Sequence, residues 1–477
     1  MIETPTPALV RPGDRSWEGE DRATNEEESE REPLCEMPGE TGETGMPVEV
    51  HLVGEEIAAA HPAFRLRRHI ARLCCGLVCL ISAWYFAYAI APAGFGLPQI
   101  PPDLYPAWYA SRQVLFHESD PYGAEVTKQI QLKMLRQAVQ TGSQPINQHK
   151  FAYPLYSVLI FSPFALLPFK VAQAVAFVSS VVLTIFSVFW WLPRADTTSK
   201  TTLVVFTLAS YPVVLGLQLR QPTMLIAPLL AAVVFSVRSN KLVLAGCLAA
   251  ICTAKPQLAV AVLLPLLVWA FADWRARKAF VISLALFQCG LLAVSELMLR
   301  GWFSRWLRTL HEYAQYAGAK PRLFLILPPR LVWLGSAILV GAVIWVSWRW
   351  RDSDLLFAVC FSIAVFQLIF LFHMYNEVML LPAVLWFVSN APERQGRGQL
   401  FVLLQGCLWI VLGAGWIATL GLSIRNLVHP GSAARLLDFP MAFVGLFPFV
   451  VVLVLATYAV WELMVFRSRS SWGNRTV

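Results

Sequence analysis

Charged residues are scarce in this sequence, and their scarcity argues against a soluble globular protein. They make up 14% of the 477 residues, whereas 57% are hydrophobic and the mean hydropathy is +0.56. Soluble globular chains carry about 25% charged and about 45–50% apolar residues. The composition is therefore not that of a soluble enzyme, and it predicts a protein that lies mainly in lipid.

A C-x-x-C pair is also missing, which argues against a zinc or redox site built on cysteine. Most of the nine cysteines lie in apolar segments, where cysteine usually acts as a small buried hydrophobic residue. Lysine and arginine stand at the edges of apolar segments rather than in one basic patch. This distribution disfavours nucleic acid as a partner.

Acidic residues become rare after the first 60 positions. Residues 1–60 contain 16 acidic and four basic residues, whereas residues 61–477 contain 14 acidic and 34 basic ones. The first segment is rich in Glu, Pro, Gly and Thr, and it cannot bury enough apolar surface to offset the entropy lost on ordering. We predict a disordered acidic cytoplasmic tail over residues 1–60 and a transmembrane domain over residues 61–477.

Long apolar segments fill the second part of the chain and predict an all-α polytopic membrane protein. A spanning helix needs about 20 mainly apolar residues, and about twelve segments approach this length. They lie near residues 70–91, 171–193, 201–217, 222–237, 242–254, 256–272, 279–299, 329–348, 354–371, 374–390, 400–422 and 440–464.

Prolines interrupt some of the apolar segments. The short segments 242–254 and 256–272 meet at Pro256, and three prolines break the apolar stretch 153–168. Interrupted helices in a bilayer usually border a cavity, because broken backbone needs polar partners. We therefore expect a cavity at Pro256 and a re-entrant or half-depth segment over 153–168.

Basic residues in the short loops predict the orientation. Four arginines precede the first predicted span, namely Arg65, Arg67, Arg68 and Arg72. By the positive-inside rule both termini are then cytoplasmic, and the long loops 92–152 and 300–328 are outside. The turns at Gln221, Lys255 and His373 fall on the same outer face. Because ionisable groups within a membrane are costly and usually functional, we predict an active site on the outer face of the plasma membrane.

Asp103 begins the long first outer loop and is one of eight acidic residues that the predicted topology places outside or near that edge. An amphipathic stretch with Tyr105, Trp108, Tyr109 and Leu115 follows it and is suited to lie along the membrane surface. An acid beside aromatic side chains at a membrane suits a general base. The spacing equally allows Asp103 to cap the N-terminus of a helix.

Five ordered motifs resemble those of a known family. They are Asp103 to Arg112 with Asp120-Pro121-Tyr122, Phe151 to Leu155 with Leu167-Pro168-Phe169, Gln221 before an apolar helix, Lys255-Pro256, and His373 with Leu380-Leu381-Pro382. Their order resembles glycosyltransferase family 87 of the GT-C superfamily, best known for polyprenyl-phosphate-mannose-dependent α-mannosyltransferases. Two motifs depart from it: the family's G-Q-x-N reads Arg220-Gln221-Pro222-Thr223 here, and the second proline of Y-P-P is Leu155.

The resemblance implies a GT-C-type helical bundle in the cell envelope. It also implies a glycosyl transfer reaction. A hexose, with mannose the leading case, would move from a polyprenyl-phosphate sugar to an acceptor hydroxyl of a glycolipid or glycan, with inversion. Asp103 would be the general base, and no metal or other cofactor is implied. The leaving phosphate needs cationic or hydrogen-bonding partners, for which Lys255, Arg220 and His373 are candidates.

Other polar and aromatic residues are candidates for supporting contacts, and each has a structural alternative. Gln221 and Gln257 suit sugar or phosphate oxygens, or structural hydrogen bonds. Tyr153 and Trp108 suit stacking on a sugar, or an aromatic belt at the interface. Glu377, four residues after His373, would share a helical face with it and orient its imidazole or form a buried charge pair.

The cationic candidates also have structural alternatives. Lys255 and Arg220 are suited to extend to the membrane interface, and His373 is suited to packing. The stretch Trp302 to Lys320 predicts an amphipathic surface helix that covers the site. The sequence Asp352-Ser353-Asp354 superficially resembles a metal-binding D-x-D motif, but neighbouring arginines place it in a tight cytoplasmic turn.

A transporter or flippase of lipid-linked substrates is the competing function class, because broken helices near a polar cavity also occur in transporters. The sequence has no internal repeat of hydropathy, which argues against it. A structural or assembly subunit, with the acidic tail as its binding element, is a third class.

Overall fold

The computed structural model describes residues 102–135, 149–193, 197–316, 321–370, 373–389, 402–408 and 438–473, together with residues 400 and 428. Throughout these residues the regular structure is helical, with no strand. The predicted tail over 1–60, the predicted span near 70–91 and most of the one near 400–422 lie outside them.

Most helices from residue 169 onward overlap the predicted apolar segments, although 201–217 is a bent pair of helices and 374–390 begins with a 3₁₀ segment. They are α1 (Leu104–His117), α2 (Ala124–Leu135), α3 (Ser157–Ala165), α4 (Phe169–Trp191), α5 (Thr197–Ala209), α6 (Tyr211–Gln218), α7 (Thr223–Arg238), α8 (Leu242–Cys252), α9 (Pro256–Ala272), α10 (Trp274–Met298), α11 (Trp302–Tyr316), α12 (Pro329–Trp350), α13 (Leu355–Ile369), α14 (Leu381–Ser389) and α15 (Asp438–Gly473). Two 3₁₀ segments, Arg322–Leu325 and Met374–Leu380, precede α12 and α14.

Four helices in the described ranges are long and apolar enough to cross a membrane: α4, α10, α12 and the Leu446–Met464 part of α15. The pair α5 and α6, bent by 58°, forms a fifth span if counted as one. Several other apolar helices have 17 residues or fewer. The architecture is consistent with a polytopic membrane protein, but it does not confirm the predicted count of about twelve spans.

Burial separates the central helices from the peripheral ones. In α13 every residue from Leu356 to Leu368 is buried, and α7 is also buried along most of its length. In α10 only Phe280 and Ser295 are buried. An apolar helix that exposes most of its surface is suited to face lipid, whereas α7 and α13 form the core of the bundle.

Prolines decide where the interrupted helices begin and end. Helix α8 ends at Cys252 and α9 begins at Pro256, where a missing N–H costs nothing because the first helical turn has no partner for it. The prediction that two short helices meet at Pro256 is therefore confirmed. Within the stretch 153–168, α3 has nine residues and a length of about 14 Å, roughly half of a ~30 Å hydrocarbon core.

The turn Asp352-Ser353-Asp354 is occupied by structural contacts. Asp352 forms ion pairs with Arg277 at 2.8 Å and with Arg351 at 3.1 Å. Asp354 caps α13 by accepting a hydrogen bond of 2.9 Å from the backbone N–H of Phe357. These contacts agree with the prediction of a tight turn.

Candidate active site

Asp103 lies directly before α1, but it does not act as a side-chain cap. Its carboxylate accepts no hydrogen bond from the first turn of that helix. Instead, its Oδ2 accepts a hydrogen bond from Nε2 of Gln221, and its backbone N–H donates to the carbonyl of Leu219 at 2.9 Å. The capping alternative is therefore wrong, and the turn between α6 and α7 holds the carboxylate.

Lys255 is buried in the break between α8 and α9, with 5% of its surface exposed. Its Nζ donates to Oγ1 of Thr223 and, at 3.3 Å, to Oδ1 of Asn376. It also lies 5.4 Å from the ring centroid of Tyr375. Burial lowers the pKa of Lys255 to about 7, although the negative charge of Asp103 opposes this shift. The alternative that Lys255 extends to the membrane interface is excluded, because its ammonium group is bound inside the bundle.

His373 lies beside the same cluster. Its Nε2 is 3.2 Å from the hydroxyl of Tyr313, and its ring stacks on Tyr375 with 5.4 Å between centroids. Burial, followed by the positive charge of Lys255, lowers the pKa of His373, whereas Asp103 acts in the opposite direction. The imidazole is therefore neutral near pH 7 and can donate a hydrogen bond from one nitrogen while it accepts at the other.

Helix α11 connects His373 with the polar loops that follow α1 and α2. Its Arg305 pairs with Asp120 at 2.5 Å, and its Glu312 pairs with Lys150 at 2.5 Å. Its Tyr313 is the partner of His373. The predicted amphipathic helix is thus observed over residues 302–316 and lies against the site, whereas residues 317–320 lie outside the described ranges.

Two of the supporting candidates, Tyr153 and Gln257, lie near the cluster. Tyr153 is half-buried between the rings of Phe151 and Phe161, with centroids 5.7 and 5.5 Å away. It is near enough to Asp103 for the carboxylate charge to act on its hydroxyl. Gln257 is half-buried in the first turn of α9, two residues after Lys255.

Arg220 and Trp108 make contacts away from this cluster. Nη1 of Arg220 donates to the carbonyl of Gln218 at 2.6 Å, and its guanidinium carbon lies 5.8 Å from the ring centroid of Phe177. Nε1 of Trp108 donates to the carbonyl of Leu167 at 3.1 Å and so fastens α1 near the end of α3. The observed contacts of both side chains are structural.

Glu377 does not pair with His373. Its Oε1 accepts a hydrogen bond of 2.5 Å from Nη2 of Arg322, and this ion pair is buried. The expected helical face is wrong because Met374–Leu380 is a 3₁₀ segment. With three residues per turn instead of 3.6, positions four apart no longer coincide. A pair that neutralises a buried charge is present, but its cation is Arg322.

Several residues of the cluster are absent from the sequence-based list of candidates. Thr223 occupies the position of the family's asparagine in G-Q-x-N, and this correspondence is the signal that could have identified it. Asn376 and Tyr375 belong to a stretch that otherwise predicts an apolar span. His149 lies near Asp103, since that carboxylate opposes the lowering of the pKa of His149 by burial. Among the described residues, no group of three or more His, Cys, Asp or Glu side chains is arranged to hold a metal.

The comparisons with known proteins support the family that the motifs resemble. Residues 151–374 match the model of glycosyltransferase family 87, and this range contains Gln221, Lys255 and His373 but not Asp103. No curated protein and no solved structure matches the chain. This match supports the resemblance to the family over residues 151–374 and indicates a membrane glycosyltransferase.

Proposed function

We propose that the protein transfers a hexose, with mannose the first candidate, from a polyprenyl-phosphate sugar to a hydroxyl of a glycolipid or glycan acceptor. The reaction takes place at the outer face of the plasma membrane and inverts the anomeric configuration. Asp103 is the general base. This proposal joins the match to the family over residues 151–374 to the chemistry of the site.

The convergence of a carboxylate and a buried ammonium group carries the proposal. Asp103 precedes α1 and Lys255 follows α8, yet the charge of Asp103 acts on Lys255. Gln221 binds the carboxylate, while Lys255 makes its described hydrogen bonds with neutral groups. The site therefore contains a base for a proton and a cation for an anionic leaving group.

The proposed step moves one proton and one glycosyl group. The acceptor hydroxyl gives its proton to Asp103 while its oxygen attacks the anomeric carbon. The bond between that carbon and the phosphate oxygen breaks, and the polyprenyl phosphate leaves with the electron pair. Lys255 stabilises the phosphate by charge, and His373 donates a hydrogen bond to it.

The proposal requires no metal, because Lys255 and His373 meet the phosphate charge. Transfer by the purified enzyme should therefore persist after treatment with a chelator. Complete loss of transfer after chelation, with recovery on addition of Mg²⁺ or Mn²⁺, would contradict this part of the proposal.

The test uses membranes that contain the wild type or Asp103→Asn. They are supplied with radiolabelled polyprenyl-phosphate mannose and, separately, with the glucose analogue, and labelled lipid and glycan products are counted. Loss of a general base typically costs about 10²–10⁴-fold in rate, so labelling should fall by at least that lower factor. The matched control is Glu118→Gln, which alters an exposed acid at the end of α1 and should leave labelling unchanged.

Two results would contradict the proposal in different ways. Equal labelling by the wild type and Asp103→Asn would show that Asp103 is not the base. An absence of labelling with any donor, from wild-type protein that is present in the membrane, would favour the transporter or assembly classes.

A further inference from the structure

Two uncharged side chains from separate elements hold the ammonium group of Lys255. Thr223 is the first residue of α7, and Asn376 lies in the 3₁₀ segment before α14. Both are buried, with exposed fractions of 0% and 2%. The Thr223 hydroxyl donates to Oδ1 of Asn376 at 2.8 Å, so the three side chains form a closed triangle.

The chemistry of this triangle leaves Lys255 suited to bind an anion. An ammonium group has three N–H donors, and Thr223 and Asn376 accept from it with neutral oxygens. One donor remains for a ligand. A carboxylate partner would neutralise the charge, but a hydroxyl and an amide orient the ammonium group without cancelling it. When Lys255 is protonated, its positive charge is therefore left uncompensated by these two partners and is available to an anionic ligand.

A second layer of polar contacts holds Asn376 in turn. Nε2 of Gln367, in α13, donates to the backbone carbonyl of Asn376 at 3.0 Å. The next residue, Glu377, forms the buried ion pair with Arg322. Nη1 of Arg322 also lies 3.4 Å from the carbonyl of Gln367. The chain at Asn376 and Glu377 is thus fixed to α13 and to the segment before α12.

We propose that Thr223 and Asn376 are positioning residues for the donor phosphate, which fix Lys255 Nζ at one point of the site, and that the Arg322–Glu377 pair fixes Asn376. This inference rests on the proposed function and adds the group that holds its phosphate-binding cation. A lysine side chain has four flexible carbons and acts as a point charge. Without these partners it would lose rotamer entropy each time it bound the phosphate.

The test compares the donor KM, acceptor KM and kcat of four variants with those of the wild type. Thr223→Val removes the hydroxyl at nearly constant volume and should raise the donor KM by about 10- to 100-fold, the usual effect of a lost hydrogen bond to a charged group. The acceptor KM should not change. Thr223→Ser restores the hydroxyl and should restore the donor KM.

Asn376→Asp is the third variant and gives a pH readout. The new carboxylate should pair with Lys255 and raise the donor KM. Because it stabilises the protonated ammonium group, the loss of donor affinity with rising pH should occur at a higher pH than in the wild type. The other titratable or charged neighbours of Lys255 are Asp103, His373 and Tyr375. These residues are unchanged in the variant, so the shift reports the new charge at position 376.

The fourth variant, Thr207→Val, is the matched control. Thr207 is a buried threonine of α5, and its hydroxyl has no hydrogen-bond partner among the described residues. Its replacement should leave all three constants unchanged. Each variant is first shown to elute as a folded, monodisperse protein in detergent.

The outcomes separate this inference from the proposed function. An active wild type with an unchanged donor KM in Thr223→Val would overturn the positioning role, as would a folded Thr223→Ser that fails to restore affinity. If the wild type transfers no sugar, the proposed function fails. The positioning role is then tested by the affinity for polyprenyl phosphate, measured from the change in tryptophan fluorescence. Weaker binding by Thr223→Val than by the wild type supports positioning, and equal binding overturns it.

Discussion

At the scale of single residues, Lys255 differs from an ordinary membrane lysine in both burial and partners. Its ammonium group lies within the bundle and binds Thr223 and Asn376, whereas lysines near membrane helix ends usually extend to water. Burial lowers its pKa to about 7. Before the donor binds, its charge therefore changes within the physiological pH range.

This lowered pKa predicts how donor affinity depends on pH. Below pH 7 Lys255 is protonated and ready for an anion, whereas above pH 7 donor binding must also take up a proton. The donor KM should therefore rise above pH 7, by up to about tenfold per pH unit. A phosphodiester donor keeps one negative charge over this range, so its own titration does not contribute.

Steady-state kinetics between pH 6 and pH 9 measure this effect. Lys255→Arg is the informative comparison, because a guanidinium group stays charged throughout and should make the donor KM independent of pH. A wild-type donor KM that is constant from pH 6 to pH 9 would contradict the assignment of Lys255 as the phosphate partner.

The Arg322–Glu377 pair should be important for stability. Removal of one partner of a buried ion pair leaves an uncompensated charge and costs about 3–5 kcal/mol. Glu377→Gln should therefore lower the thermal unfolding midpoint in detergent markedly. Replacement of both residues by methionine should cost less, because no charge remains unpaired.

The pair between Arg305 and Asp120 provides the control for that prediction. Both of its side chains are partly exposed, and exposed ion pairs contribute only about 0–1 kcal/mol. Arg305→Gln should scarcely move the unfolding midpoint. Equal effects of Glu377→Gln and Arg305→Gln would show that the buried pair has no special role in stability.

At the scale of elements, close packing between α8 and α10 positions the helix break that carries Lys255. A Cβ atom added to Gly246 in α8 would lie 2.6 Å from the carbonyl oxygen of Phe280 and 2.7 Å from the backbone nitrogen of Leu284, both in α10. Backbone atoms at these distances cannot move aside without displacing a helix. Helix α8 ends three residues before Lys255, so its displacement reaches the site.

Gly246→Ala should therefore destabilise the protein by about 1–3 kcal/mol, the usual cost of overpacking, and should also weaken donor binding. Gly290→Ala is the control, because a Cβ there would meet no atom within 4 Å. Alanine in a helix is favoured over glycine by about 1 kcal/mol, so this variant should be neutral or slightly more stable. Thermal unfolding in detergent compares the two, and equal destabilisation would contradict the packing argument.

Local patterns predicted some elements well and others poorly. Pro256 marked the start of α9, because the first turn of a helix is the position where proline costs least. The run Met374–Leu380 falls within the segment 374–390 that predicts a spanning α-helix, yet it is a 3₁₀ segment held by Arg322 and Gln367. Composition cannot reveal that difference, because the partners that impose it lie elsewhere in the chain.

At the scale of the whole molecule, the charge pattern predicts which end of the bundle faces the cytoplasm. Asp103 and Lys255 lie at the end that is predicted to be outside. Asp352, which pairs with Arg277, lies in a turn that is predicted to be cytoplasmic. Glu118 and Ser353 are exposed residues near these predicted outer and inner ends. Cysteine substitutions at these two positions can therefore report sidedness.

In intact cells, a membrane-impermeant maleimide should label Glu118→Cys and leave Ser353→Cys unlabelled until the membrane is permeabilised. The wild type gives the background from native cysteines, including the exposed Cys289 of α10. Labelling of Ser353→Cys before permeabilisation, without labelling of Glu118→Cys, would reverse the proposed orientation and place the site in the cytoplasm.

The sequence by itself determined the class of this protein. The long apolar segments indicated a helical membrane protein, because a helix satisfies its own backbone hydrogen bonds in lipid. Motif order indicated the family, and proline positions indicated the breaks near which Gln221 and Lys255 lie. These properties follow from residues close together in the chain.

Only the tertiary structure decided which side chains act on one another. It joined Asp103 to Gln221, replaced the expected partner of Glu377 by Arg322, and directed Arg220 towards Phe177. It also surrounded Lys255 with neutral oxygens rather than a carboxylate partner. Such choices depend on the distances between helices and on burial, which raises the cost of any charge left without a partner, and a one-dimensional pattern contains neither quantity.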